Sequence, residues 1–359
     1  MRAPGLKYIQ VPSVGFGTWA AGGETDSITK SPEDPSWCTQ AVIDALQTGV
    51  RHLDCAWEYG VDREVGEGIR QSGIPREDIF ITTKFWPNFA DPKNVSMAID
   101  KILDSMGLDY VDLLLAHFPA AIKPSGDLNS AVNFTGATLQ DQRCSEEKNG
   151  NYLPDLEHCP RAVAAINGFP GVGSFVPTWE AMKSLVRAGK CRAIGVSNFE
   201  RVHLEEILPY ASHEDIPISC NQIEAHPWYP NVELIEFLHK EGILPTIYSP
   251  FAPKTFMVKS GVVEGCEFAP NGVTLLQEPV VKEIASSNGM DVGQVLQSWA
   301  VQRGTVPLAK SRSKTRIASN MKVRRLSKED VALLDSLKKD GLSGKSTDVN
   351  LLFPGVRLR

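Results

Sequence analysis

Eight short β-branched runs alternating with helical text constrain this chain more than any other feature. The runs are "VGFGTW" (14–19), "RHLDC" (51–55), "IFITTK" (79–84), "VDLLLAH" (111–117), "RAIGVS" (192–197), "ISCNQIE" (218–224), "LPTIYS" (244–249) and "TVPLAK" (305–310). Between them, "NVSMAIDKILDSMG" sets Val95, Ala98, Ile99, Ile102, Leu103 and Met106 on one helical face. Gly107 reads as the left-handed stop of that helix, with Gly73 and Gly242 stopping two others. Ser327 and Asp330 are spaced as a capping box.

Strands alternating with helices form parallel sheets, and eight of them predict an α/β (β/α)8 barrel of the TIM type. A doubly wound sheet would want G-x-G-x-x-G after the first strand, and "GFGTWAAGG" lacks it. The expectation is one barrel domain over residues 1–359, with an enlarged loop after strand 4, from about 120 to 176. Its text is rich in Gly, Pro, Asn and Ser and predicts no element. Loops of such length are functional or unstructured, and this one leaves the strand end where barrels build active sites. Its apolar residues (Phe134, Tyr152, Leu153, Leu156, Phe169, Phe175) predict a lid over the barrel mouth.

Composition narrows the partners. A formal net charge of −6 argues against nucleic acid, which needs a basic face. The longest apolar stretch, around "YVDLLLAHF", is too short for a bilayer. The opening residues carry no secretory run. Seven thinly spread cysteines suit a reducing compartment. These readings predict a cytoplasmic protein with neither membrane nor nucleic acid as partner.

In a barrel, ionisable groups at C-terminal strand ends are candidates for chemistry. Asp54, Lys84 and His117 close three successive strands, and Tyr59 lies just beyond the first. Any one of them alone reads as a cap or turn residue; all four at matching positions do not. An ammonium beside a phenol favours the phenolate and predicts a tyrosine pKa below the usual ~10. A carboxylate holds the lysine, the tyrosine acts as general acid, and the histidine orients a substrate oxygen. Such a group protonates an oxygen that gains charge as a carbonyl accepts hydride, and hydride calls for a nicotinamide donor.

Here the chain resembles the aldo-keto reductases. "GVRHLDCAWEYG…EVGEGI", "GKCRAIGVSNF" (189–199) and "LAKSRSKTRIASN" (308–320) resemble that family's three signatures, in order. "NQIEAHPWY" and "IYSPF" fall where the family has cofactor-binding strand ends. The resemblance implies an NADPH-dependent oxidoreductase that reduces an aldehyde or ketone to an alcohol, with Asp54, Tyr59, Lys84 and His117 as catalytic tetrad. For NADP(H) it implies Thr18, Trp19 and Asp54 beside Ser197, Asn198 and Gln222 at the carboxamide, and Tyr248 against the ring. Ser249, Pro250 and Phe251 follow the diphosphate, and Lys310, Ser311, Arg316 and Asn320 grip the adenosine end. Lys310 and Arg316 also make physical sense as a 2′-phosphate clamp.

Trp19, Glu58, Trp86 and Phe118 are the substrate-binding candidates. Glu58 stands where the family is often small and apolar, and reads as either a solvent-facing or a pocket carboxylate. Phe118 replaces a frequent tryptophan, and Asp62 a frequent glutamate. Cys144, His158 and Cys159 lack metal-ligand spacing, so no metal is expected, and Cys55 reads as a buried filler. The partner is then a small carbonyl compound, and the protein a monomer or weak homodimer. A dedicated ketoreductase for one large intermediate, a cofactor-sensing subunit like the potassium-channel β subunits, and a metal-dependent barrel hydrolase stay open as alternatives.

Overall fold

Strands buried on both faces read as unbroken apolar runs, and that is how the eight runs fold. The computed structural model describes residues 10–19, 36–124, 128, 147–148, 151–152, 154–169, 171–211, 216–252, 274–340 and 345. The barrel strands are β1 (Gly15–Gly17), β2 (His52–Asp54), β3 (Phe80–Phe85), β4 (Val111–Ala116), β7 (Cys191–Ser197), β8 (Cys220–Glu224), β9 (Leu244–Tyr248) and β10 (Val306–Ala309). They close in the order β1-β10-β9-β8-β7-β4-β3-β2, every pair parallel.

Alternation along each strand divides the core in two. One cluster, inside the barrel, holds Val11, Phe80, Leu113, Leu115, Ala193, Cys220, Leu244 and Val306. The intervening residues Leu53, Ile81, Leu114, Ile194 and Val196 join a second cluster with Val42, Ile69, Ile99, Ile102 and Met182 of the surrounding helices. Inside the barrel His52 Nε2 meets Thr82 Oγ1 at 2.9 Å, and burial holds its imidazole far down, at about 3.

The first three helices are α1 (Ser36–Gln47), α2 (Asp62–Ser72) and α3 (Pro92–Met106), the last two ending at the glycine stops read from the sequence. In α3 the six residues of the apolar face are buried, Asp91 accepts from the Lys93 N–H, and Gly107 ends the helix at φ 67°. Gly73 and Gly242 both sit at φ 72°. Ser327 Oγ accepts from the Asp330 N–H at 3.0 Å.

The segment after β4 departs from expectation, because it carries regular structure. A two-residue antiparallel pair, β5 (Glu147–Lys148) with β6 (Asn151–Tyr152), flanks an Asn-Gly dipeptide, a hairpin signal. A helix spans Arg161–Ile166 behind Pro160, where the Ala-rich text favours it. Phe175 is not on a lid: it is buried 5.2 Å from Phe199, at the N-cap of the helix Val176–Arg187. Phe169 is 51% exposed and Leu156 partly buried. Phe134, Cys144 and Leu153 lie outside the described residues. Cys159 is buried, its sulfur accepting from the Ala121 N–H at 3.1 Å, and His158 pairs with Asp155 at 2.7 Å. Among the described residues no helix is long and apolar enough to cross a membrane.

Where α2 crosses the end of α3, a Cβ on Gly66 would meet the Met106 carbonyl. Backbone cannot yield as a side chain does, so Gly66→Ala is expected to cost about 3 kcal/mol. Denaturant unfolding reads this directly, and an unchanged midpoint would refute the close crossing.

Candidate active site

The inward parity of each strand, carried to its C-terminal end, generates the site. From Phe80 the inward positions of β3 run to Thr82 and Lys84; from Leu115 the next beyond β4 is His117. Ala193 leads to Ser197, Cys220 to Gln222, Leu244 to Tyr248 and Val306 to Lys310. His52 leads to Asp54. Seven strands thus aim polar side chains at one rim of the barrel.

Tyr59 comes from the turn instead. The short helix Trp57–Tyr59 follows β2 and is stopped by Gly60 at φ 64°, which leaves the phenol over the rim. Lys84 is fully buried, and its Nζ donates to Asp54 Oδ1 (3.0 Å) and Oδ2 (2.9 Å), the Cys55 carbonyl (2.8 Å) and Tyr59 Oη (3.2 Å). Gln222 Nε2 reaches across to Asp54 Oδ1 at 2.7 Å. The Thr18 N–H and Oγ1 both donate to the Asp54 carbonyl at 3.0 Å. Tyr59 Oη therefore accepts from Lys84, and its own hydrogen has no acceptor among the described residues.

The electrostatics correct one expectation. Tyr59 is not lowered: burial outweighs the pull of Lys84 and pushes the phenol up to about 12. Burial alone would lower Lys84, but Asp54 and Tyr59 together carry the ammonium up to about 12. At neutral pH the pair is a protonated phenol against a charged lysine. Cys55 is buried, and burial drives its thiol well up, so it is no nucleophile.

Aromatic rings wall the phenol. Tyr59 lies 5.9 Å edge-on from His117 and 6.4 Å from Trp19. Trp86 stands edge-on to His117 at 5.5 Å, and Phe118 stacks on His117 at 4.8 Å. Glu58 is 9% exposed, which removes the solvent-facing reading of that carboxylate.

A polar arc continues around the rim. Asn198 adopts φ 64°, a left-handed conformation asparagine tolerates, and its Nδ2 donates to the His117 carbonyl (3.0 Å) and Ser197 Oγ (3.2 Å). Its Oδ1 accepts from the Tyr248 hydroxyl at 2.8 Å, and Ser197 Oγ donates to the Gln222 carbonyl at 2.9 Å. Beyond β9, Ser249 (φ 54°) and Ala252 (φ 49°) are strained in the same sense, flanking buried Pro250 and half-buried Phe251. A Cβ on Gly293 would lie 3.0 Å from Asn320 Oδ1 and 3.7 Å from Phe251 Cζ, so glycine lets those two approach.

After β10, Ser311 Oγ accepts from the Ser313 N–H and Arg316 Nε, both at 3.1 Å. Lys310, Arg312 and Arg316 stand close enough to interact, and Lys310 is lowered by burial and then by the two guanidinium groups. Sequence reasoning missed Arg312, though it stands in "KSRSKTR", and missed Trp37, whose ring lies 4.8 Å from the Arg312 guanidinium. Among the described residues no group of three or more His, Cys, Asp or Glu is placed to hold a metal ion.

Residues 13–339 match the model of the aldo/keto reductase family. The chain belongs to this family. It is 36% identical to the glycerol 2-dehydrogenase (NADP(+)) of Saccharomyces cerevisiae, over 92% of this chain and 88% of that one. An aldehyde reductase of the same yeast is 35% identical over 92% and 88%. The NAD(P)H-dependent D-xylose reductase I,II of Candida tropicalis is 34% identical over 88% and 84%. Members of the aldo/keto reductase family act on small carbonyl substrates.

Tyr59 and Lys84 hold their protons more tightly in the fold than in the unfolded chain, where they ionise near 10.0 and 10.5. Their contribution to stability is complete below those values and is lost as pH rises through about 12. Absorbance titration at 295 nm, as a difference between native protein and Tyr59→Phe, should show this phenol un-ionised at pH 10. Ionisation centred near or below 10 would contradict the burial argument.

Proposed function

We propose that Tyr59 delivers the proton in carbonyl reduction and that Lys84, Asp54 and His117 prepare it to do so. The chain is an NADP(H)-dependent oxidoreductase that reduces an aldehyde or ketone to an alcohol. NADP(H), when bound, supplies or accepts the hydride. The observation that carries the proton assignment is the hydrogen-bond direction at Tyr59 Oη, which accepts from buried Lys84 and keeps its own hydrogen to give.

The remaining steps belong to this chain's own groups. As a carbonyl oxygen gains charge, the Tyr59 O–H becomes its hydrogen-bond donor and then its acid. The phenolate left behind faces the Lys84 ammonium, which a pKa of about 12 keeps charged. Asp54 fixes that ammonium from the far side through two oxygens. His117, edge-on to Tyr59, orients the substrate oxygen, while Trp19, Trp86, Phe118 and buried Glu58 line the substrate side.

The rim residues fit the cofactor. Asn198, Gln222 and Ser197 present amide and hydroxyl groups suited to a carboxamide, and Tyr248 a flat ring for the nicotinamide. Ser249, Pro250 and Phe251 follow the diphosphate. Lys310, Ser311 and Arg316, with Asn320, suit a 2′-phosphate, since neither cation pairs with a carboxylate among the described residues. We read the whole chain as one barrel unit, monomeric or weakly dimeric and cytoplasmic, with residues of about 120–176 inserted after β4. A cofactor-sensing role is the weaker reading, because it has no need of a buried Lys84 bonded to a phenol that keeps its own hydrogen to give.

Tyr59→Phe should abolish turnover, a loss of at least about a thousandfold, while NADPH binding by fluorescence stays within twofold. Lys84→Met should lose activity similarly. Substantial turnover in Tyr59→Phe would overturn the assignment. Lys310→Ala should raise the Michaelis constant for NADPH by tenfold or more and that for NADH little; equal effects on both would remove the phosphate role.

A further inference from the structure

We propose that Arg312, held against the Trp37 indole, is a third cation of the 2′-phosphate subsite and sharpens the preference for NADP(H) over NAD(H). The inference rests on the reading of Lys310 and Arg316 as that subsite; it adds Trp37, from outside the family signatures, and Arg312, a residue of the third signature to which the resemblance gave no role.

The ring is the first observation. Trp37 is in the first turn of α1, half-buried and packed against the outer core. The Arg312 guanidinium carbon lies 4.8 Å from its centroid and Lys310 Nζ 5.5 Å, so two cations from the end of β10 share one aromatic surface. Its buried Nε1–H has no acceptor among the described residues, so packing and the cations, not a hydrogen bond, hold the ring here.

Charge is the second observation. Lys310 stands close to both Arg312 and Arg316, Arg316 is bonded to Ser311 Oγ, and none of the three cations pairs with a carboxylate among the described residues. The neighbouring Lys314 is neutralised by Asp44 at 3.2 Å and bonded to Gln47 at 3.4 Å. One basic segment thus keeps three cations together and satisfies the fourth. Like charges so placed repel one another, and Lys310, lowered first by burial, is lowered further by the two guanidinium groups. A dianion meeting all three relieves it, and a 2′-hydroxyl does not.

The indole makes Arg312 useful. A free arginine on an exposed turn must surrender rotamer freedom to meet a phosphate, whereas one laid on a ring has lost much of it already. Trp37 is accordingly a positioning residue, and Arg312 the group that touches the ligand.

The test is calorimetric titration of the full chain with adenosine 2′,5′-bisphosphate and with 5′-AMP, at several salt concentrations. Arg312→Ala should weaken the bisphosphate about tenfold, the order of one charge-assisted contact, shift 5′-AMP less than twofold, and flatten the salt dependence. Trp37→Ala should give part of the same loss and Trp37→Phe should restore it; Lys314→Ala should change neither ligand. If Arg312→Ala leaves the bisphosphate within twofold while Lys310→Ala weakens it, the inference falls and the subsite stands. If neither variant matters, the subsite falls with it. Equal weakening of both ligands by Arg312→Ala also overturns the proposal. Failure of Trp37→Phe to rescue a folded Trp37→Ala removes the positioning role.

Discussion

A charged lysine with no exposed surface, bonded to both oxygens of a buried aspartate, is the interaction on which this architecture turns. Moving two charges out of water costs several kcal/mol per ion, and attraction repays it only where the remaining protons also find partners. Here they do, at the Cys55 carbonyl and Tyr59 Oη, while Gln222 and Thr18 fix the aspartate from two other strands. The barrel is what makes this possible, because closure brings β3 and β8 to the Asp54 carboxylate and the end of β1 to its backbone carbonyl.

That arrangement also explains why the phenol is a proton holder and not a phenolate. Lysine and burial act in opposite directions on Tyr59, and burial wins. In the proposed reaction Lys84 matters after the proton has left, when its ammonium would face the negative phenolate oxygen. On that proposal the stabilising charge already stands 3.2 Å from the phenol oxygen and would need no rearrangement.

Much of this was legible in the sequence, for a definite reason. Each strand is short and apolar on both faces, so its last polar residue stands out, and Asp54, Lys84 and His117 were readable as strand ends. Tyr59 was readable through the glycine that halts its turn. What escaped depends on depth or on distance along the chain. Sequence names the neighbours of Tyr59 but not the loss of water around it, which reversed the expected shift. It could not show Glu58 buried, Phe175 in the core or Phe169 outside it. Arg312 and Trp37 are remote in sequence, and only the closing pair β1 and β10 brings α1 beside the final strand. The helix Arg161–Ile166 hid in glycine- and proline-rich surroundings, although its alanines were a usable signal.

The shared parity of the strand ends has a consequence for how such a gene can vary. Gaining or losing one codon inside β3 would turn Lys84 from the barrel axis toward the helices. Two codons would restore its direction but displace the ammonium by about 6.6 Å along the axis, beyond reach of Asp54. The strands are therefore locked in length as well as in composition, and changes of length are confined to the segments that leave them. The long stretch between β4 and β7 occupies such a segment, in a position that leaves the register of β2, β3 and β4 untouched.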